Sequence, residues 1–202
     1  MNVTLRLAVL IFGFTLAACN RTPSVAPLAA NDTVLAFGDS LTFGTGSAPG
    51  DAYPAQLARM IGRTVVNAGV PGEVSADGLK RLPEALEEHQ PKLLILCHGG
   101  NDFLRKLGDE AAANNVRAMI RLAQSRNIAV VLMATPKPGL SPSAAPFYAQ
   151  IAKEFDLPLE NDVIGDVLGD NGLKSDLVHP NAKGYARMAE AIQSLMKKAK
   201  AI

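Results

Sequence analysis

Val34-Leu35-Ala36-Phe37-Gly38-Asp39-Ser40-Leu41-Thr42 passes from an apolar run directly into a glycine, a carboxylate and a serine. A short apolar run closed by glycine reads as a buried strand. A serine at the carboxyl end of such a strand stands where α/β enzymes keep their nucleophiles. Outward from this stretch, strand and helix signals alternate. A helical pattern over residues 53–61, with Leu57, Met60 and Ile61 apolar, precedes the β-branched stretch Thr64-Val65-Val66-Asn67. A helix over 76–88 carries Leu79, Leu82 and Leu86; Pro83 within it marks either a kink or a later start. Residues 92–97 form a third strand, 110–126 a helix with Val116, Met119, Ile120 and Ala123 on one face, and 128–134 a fourth strand. That last run is almost continuously apolar, as a central parallel strand is. A proline-rich loop over 135–142, a helix over 144–155 and a C-terminal helix after Pro180 complete the pattern. The alternation predicts an α/β fold, a parallel sheet covered by helices on both faces.

The N-terminus reads differently. Residues 1–6 carry one positive charge and residues 7–18 are almost wholly apolar. That run falls short of the ~20 residues a bilayer-spanning helix needs and reads as the hydrophobic region of a secretory signal. It ends Leu16-Ala17-Ala18-Cys19, which resembles the bacterial lipobox, whose cysteine is lipidated and becomes the first mature residue. The alternative is an ordinary signal peptide with an incidental cysteine. Lipidation at Cys19 would add several acyl chains, and two or more give stable anchoring. Residues 20–32 hold two prolines, several small residues and no periodicity, the composition of a tether. The expected division is a signal peptide at 1–18, a lipidated N-terminus and flexible tether at 19–32, and one catalytic domain at 33–202. The protein is expected to be exported and anchored, facing the periplasm or cell exterior.

Twenty Lys and Arg stand against 19 Asp and Glu, a formal charge of +1. Nothing in that balance argues for nucleic acid or an electrostatic membrane footprint. Lys197, Lys198 and Lys200 cluster where they complement the dipole of the last helix. Cys97 ends the apolar run Leu93-Leu94-Ile95-Leu96-Cys97 and reads as a small buried hydrophobe.

A serine nucleophile needs a base, an orienter for that base and donors for the oxyanion. In Asp176-Leu177-Val178-His179-Pro180 a tight turn lets the carboxylate take one imidazole nitrogen and leaves the other free. Read alone, the same residues also suit a helix-initiating turn capped by Asp176. Asn101, after Gly99-Gly100, offers a side-chain amide, and Gly72 in Asn67-Ala68-Gly69-Val70-Pro71-Gly72-Glu73 a backbone N–H. Each segment alone is also an ordinary strand-to-helix turn. Joint position favours the functional reading, because Ser40, Gly72 and Asn101 each follow a predicted strand and so share one carboxyl edge. There is no Gly-x-Ser-x-Gly elbow, and Gly44-Thr45-Gly46 lacks the third glycine of a dinucleotide loop. His89 reads as a surface or capping residue and His98 as structural rather than pocket-lining. Neither makes a metal site with His179, since no ligand-spaced cluster accompanies them.

Gly38-Asp39-Ser40-Leu41, Asn67 to Gly72, Gly99-Gly100-Asn101-Asp102 and Asp176-x-x-His179-Pro180 resemble, in order, the four blocks of the SGNH (GDSL) hydrolases. The nearest branch is the bacterial periplasmic arylesterase, thioesterase and lysophospholipase group, and the likeness covers residues 33–195. Pro71 departs from the small polar residue expected there and restricts Val70. The resemblance implies a three-layer α/β/α sandwich with a mainly parallel, flavodoxin-like sheet of about five strands. It implies Ser40, Asp176 and His179 as catalytic residues, and an oxyanion hole from Ser40, Gly72 and Asn101. Asp39 and Asp102 would support loops, with no cofactor and no metal. The expected activity is hydrolysis of small acyl esters or thioesters, lysophospholipids included, by a monomer. One alternative is an O-acetyl esterase of cell-wall sugars; another is a lipid-binding lipoprotein without catalysis. An acyl pocket would draw apolar residues from the loop after Ala134, whereas a sugar pocket would be open with polar or aromatic platforms. The absence of Trp and the presence of only three Tyr favour the acyl pocket.

Overall fold

The structure is a computed structural model and describes residues 22–139 and 142–202. The expected signal segment 1–18 and Cys19 lie outside the described residues. The chain runs β1 (Val34–Gly38), α1 (Ser40–Phe43), α2 (Tyr53–Ile61), β2 (Val65–Gly69), α3 (Ser75–His89), β3 (Leu93–Cys97), α4 (Gly100–Leu104) and α5 (Asp109–Ser125). It continues through β4 (Ala129–Met133), β5 (Pro136–Lys137), β6 (Ser143–Ala144), α6 (Phe147–Glu154), β7 (Leu159–Glu160), α7 (Val163–Gly169) and α8 (Ala182–Lys198).

Five strands lie side by side in the order β2, β1, β3, β4, β7, every neighbouring pair parallel. This is the flavodoxin-like order, which reverses between β1 and β3 and opens a crevice there at the carboxyl edge. Alternation along each strand sorts the core into two layers. Leu35, Phe37, Leu94, Leu96, Val130 and Leu132 pack with α3, α5 and α6 on one face. Val34, Ala36, Ile95, Cys97, Val131 and Met133 pack with α2, α7 and α8 on the other. Cys97 is fully buried there, as its apolar surroundings in sequence suggest.

The long elements fall where their periodicity puts them. Pro83 sits inside α3, which starts at Ser75 and runs on to His89, so the later start is not what the chain adopts. The fifth strand, β7, is only two residues long and follows Pro158. The proline-rich loop after β4 contains the small antiparallel pair β5 and β6.

Residues 22–32 correct one expectation. They are laid against the domain instead of hanging free of it. The Val25 N–H donates to Ala199 O at 2.9 Å and the Leu28 N–H to Ala201 O at 2.8 Å. Arg63 Nη2 donates to Leu28 O, and the Leu28 side chain is 7% exposed in the α2–α8 layer. The physical reason is Leu28 itself, with Val25 beside it: these apolar side chains gain more by covering the sheet's lower edge than by solvation. The folded unit therefore begins before Thr33.

Candidate active site

Ser40 is the first residue of α1, one step beyond the sheet. Asp39 caps that helix, its Oδ1 accepting from the Leu41 N–H at 3.0 Å. The imidazole comes from the far end of the chain. His179 lies two residues ahead of Asn181, whose side chain accepts from the N–H groups of Lys183 and Gly184 and starts α8. His179 Nε2 is 3.0 Å from Ser40 Oγ, and His179 Nδ1 is 2.8 Å from Asp176 Oδ2. Asp176 Oδ1 meanwhile accepts from the Val178 and His179 N–H groups at 2.8 and 2.9 Å. Asp176 is thus both the cap of the turn and the partner of the ring, and the two readings of the sequence merge. Partial burial opposes ionisation of Asp176, but the Val178 N–H and the His179 ring outweigh it and hold the carboxyl below its ordinary value. A carboxylate can only accept, so His179 Nδ1 carries its hydrogen toward Asp176 and Nε2 is left to take a proton from Ser40.

Two segments face this line from neighbouring strands. Pro71-Gly72 forms a turn closed by Glu73 N–H to Val70 O at 3.2 Å, and Gly72 has φ +77°. Proline followed by a residue of positive φ is the pattern of a type II turn. Pro71, the departure from the family pattern, thus takes the place that a proline prefers in such a turn. Among the described residues neither the Gly72 nor the Ser40 N–H has a protein acceptor. Asn101, in α4, donates from Nδ2 to Asp39 Oδ2 at 3.2 Å and to Glu73 O at 3.0 Å. Burial pushes the Asp39 carboxyl up, and its hydrogen bonds and nearby histidines only partly counter this. Asp102 accepts from the Ser75 N–H and hydroxyl at 2.8 and 2.6 Å, tying the start of α3 to α4. Asp39 and Asp102 therefore hold loops, as the resemblance implies.

Sequence reasoning did not single out Glu73 or Arg81. Arg81 grips Glu73 through Nε and Nη2 at 2.8 and 2.7 Å while stacking over Phe37. His98 Nε2 lies 3.0 Å from the same carboxylate. Since Glu73 accepts, Nε2 bears a hydrogen, and buried Nδ1 has no hydrogen-bond partner among the described residues. His98 is fully buried and does not line the cleft, so it is structural, as expected. A Glu-x7-Arg spacing on a turn and a helix carries no signal until the fold brings His98 beneath it.

The cleft above Ser40 and His179 has a volume of about 610 Å³. Its walls are chiefly Leu41, Leu104, Leu168 and Leu177, with Pro136 and Pro138 from the segment after Ala134. No Phe, Tyr or Trp lines it among the described residues. Leu177, between the two residues of the His–Asp pair, is 85% exposed at the rim.

A flavodoxin-like sheet that carries a hydrogen-bonded Ser–His–Asp line at its carboxyl edge has the parts of a serine hydrolase. Residues 36–187 match the GDSL-like Lipase/Acylhydrolase family. The chain belongs to that family and is an ester hydrolase. It is 34% identical over 170 residues to the thioesterase 1/protease 1/lysophospholipase L1 of Escherichia coli K12, covering 80% of this chain and 82% of that one. It is 28% identical over 198 residues to the esterase TesA of Pseudomonas aeruginosa, covering 90% and 96%. Among solved structures, TesA superposes with a TM-score of 0.75 at 27% identity, covering 83% of this chain and 99% of that one. The SGNH-hydrolase family esterase AlinE4 gives 0.66 at 32%, covering 85% and 98%.

Proposed function

We propose that this chain hydrolyses acyl esters and thioesters through an acyl-enzyme on Ser40. His179 Nε2 takes the Ser40 proton as Oγ bonds to the acyl carbon. The tetrahedral oxyanion is met by the Ser40 and Gly72 N–H groups and by Asn101, whose amide shifts a hydrogen from its resting acceptors. Collapse expels the alcohol or thiol with the proton from His179. Water then repeats the sequence and releases the acid. Asp176 keeps the ring in the productive tautomer. No step calls on a cofactor. The observation that carries the reading is the continuous hydrogen-bonded line from Ser40 Oγ through His179 to Asp176.

The apolar walls and missing aromatic platforms support acyl chains over O-acetylated sugars. The names borne by the relatives, thioesterase, lysophospholipase and esterase, suit such a pocket. We further read the chain as a monomeric lipoprotein, exported and anchored through Cys19.

A fluorophosphonate is expected to label wild type at Ser40 and to leave Ser40→Ala unlabelled, folded and without turnover. Full esterase activity in purified Ser40→Ala protein would sink the mechanism, and a wild type that takes no label would favour a lipid-binding protein. A panel of aryl esters, acyl thioesters and lysophospholipids of graded chain length separates the acyl reading from the sugar one.

A further inference from the structure

The docked segment 22–32 has a bearing on where the substrate comes from. α8 starts at Asn181, beside His179 at the mouth of the cleft, and its seventeen residues Ala182–Lys198 carry the chain to the opposite edge of the sheet. At 1.5 Å per residue, the helix separates Ala199 from the mouth by about 25 Å. Val25 and Leu28 are bonded to Ala199 and Ala201 at that far edge. Arg63, past the lower end of α2, holds the Leu28 and Ala29 carbonyls there as well. Between Val25 and Cys19 lie six chain steps, which span at most about 20 Å however they are arranged.

A bilayer pressed flat on the mouth would need Cys19 in the plane of the mouth. The chain falls short of that plane even if it runs straight up the side of α8. We propose that, held by Cys19, the domain keeps its catalytic mouth off the surface of the anchoring bilayer. Its substrates are then acyl esters and thioesters that arrive from the aqueous side, not lipids of the leaflet that holds it. This rests on the lipid-anchor reading above, and it narrows the lysophospholipid reading to molecules delivered in solution or from a facing surface. More than half of the segment read from sequence as a flexible tether is instead laid against the domain, where it fixes the exit point.

The chain from Cys19 onward can be coupled through that thiol to a maleimide phospholipid in phosphatidylcholine vesicles, since Cys97 is buried and does not compete. One ester, 4-methylumbelliferyl palmitate, is dissolved in the same bilayers; another, p-nitrophenyl acetate, is supplied in the water. A second protein carries about thirty Gly/Ser residues between Arg21 and Thr22, a linker with a root-mean-square span of about 30 Å. The inserted linker is expected to raise hydrolysis of the bilayer ester about tenfold or more, because a tether too short to span two sites gives almost no effective concentration. Rates are taken relative to the soluble ester, so a poorly folded sample mimics neither result. Equal relative rates with and without the insert overturn the orientation. The anchor has its own test, labelled palmitate entering the full chain in cells but not Cys19→Ala; its failure removes the natural anchor whatever the vesicles show.

Discussion

Asn101 directs its amide to two protein acceptors at rest, the Asp39 carboxylate and the Glu73 carbonyl. Both stand next to the proposed oxyanion donors Ser40 and Gly72, so one residue's aim depends on two others. Asn101→Ala is expected to lower kcat on the order of 10²–10³-fold, the usual cost of one lost oxyanion donor. The check is kcat per fluorophosphonate-titrated site. Glu73 supplies that carbonyl and follows Gly72, while Arg81 and His98 fix its side chain. Glu73→Gln keeps the shape and loses the charge, and kcat per titrated site is expected to fall about ten- to a hundredfold with KM little changed, as small misplacements do. A lower Tm with unchanged kcat per site would reduce the clamp to a purely stabilising contact. Burial disfavours the Glu73 carboxylate, but Arg81 and His98 more than offset it and bring it from 4.5 down to about 2. A folded value below the unfolded one means that this group's contribution to stability is present above pH 4.5 and is lost as pH falls toward 2. Over that window the Tm of wild type is expected to drop more steeply than that of Glu73→Gln.

At the scale of elements, α3 supports the clamp from below. A Cβ at Gly78 would collide with His98 Nε2, so the helix runs past the imidazole only because this position has no side chain. Gly78→Ala gains about 1 kcal/mol of helix propensity and incurs about 1–3 kcal/mol of overpacking. The larger effect is expected to win, giving a lower Tm together with a lower kcat as His98 leaves Glu73; thermal melts and steady-state kinetics measure both. The same scale shows which elements were legible. α2, α3, α5 and α8 each span two turns or more, enough for apolar spacing to declare a helix. α1, α4 and β7 have four, five and two residues, less than a readable period. They exist because the sheet edge and its loops hold them.

For the whole molecule, residues 22–32 cover the lower edge of the α2–α8 layer through Leu28 and Val25. Leu28→Ala is expected to cost about 2–3 kcal/mol, as other buried Leu truncations do, while kcat stays at its wild-type value because the site lies at the other end. Denaturant unfolding with esterase assay tests the pair. An unchanged stability would return 22–32 to the role of a loose tether.

Local spacing alone settled the α/β alternation, the strands that lead into Ser40, Gly72 and Asn101, and the Asp176-x-x-His179 turn, since each is written in patterns that any fold must respect. The sequence also carried the family resemblance and the buried character of Cys97. The meeting of Ser40 with His179, 139 positions apart, was inferred but decided by the strand order, which brings α8 to start beside β1. The contact of Glu73 with Arg81 and His98 was decided by tertiary structure alone, because a buried charge finds its partners across elements and leaves no periodic trace. The course of 22–32 was decided there too: Pro, Ala and Ser suggest a free tether, and one leucine finding an open edge of the core overrules them.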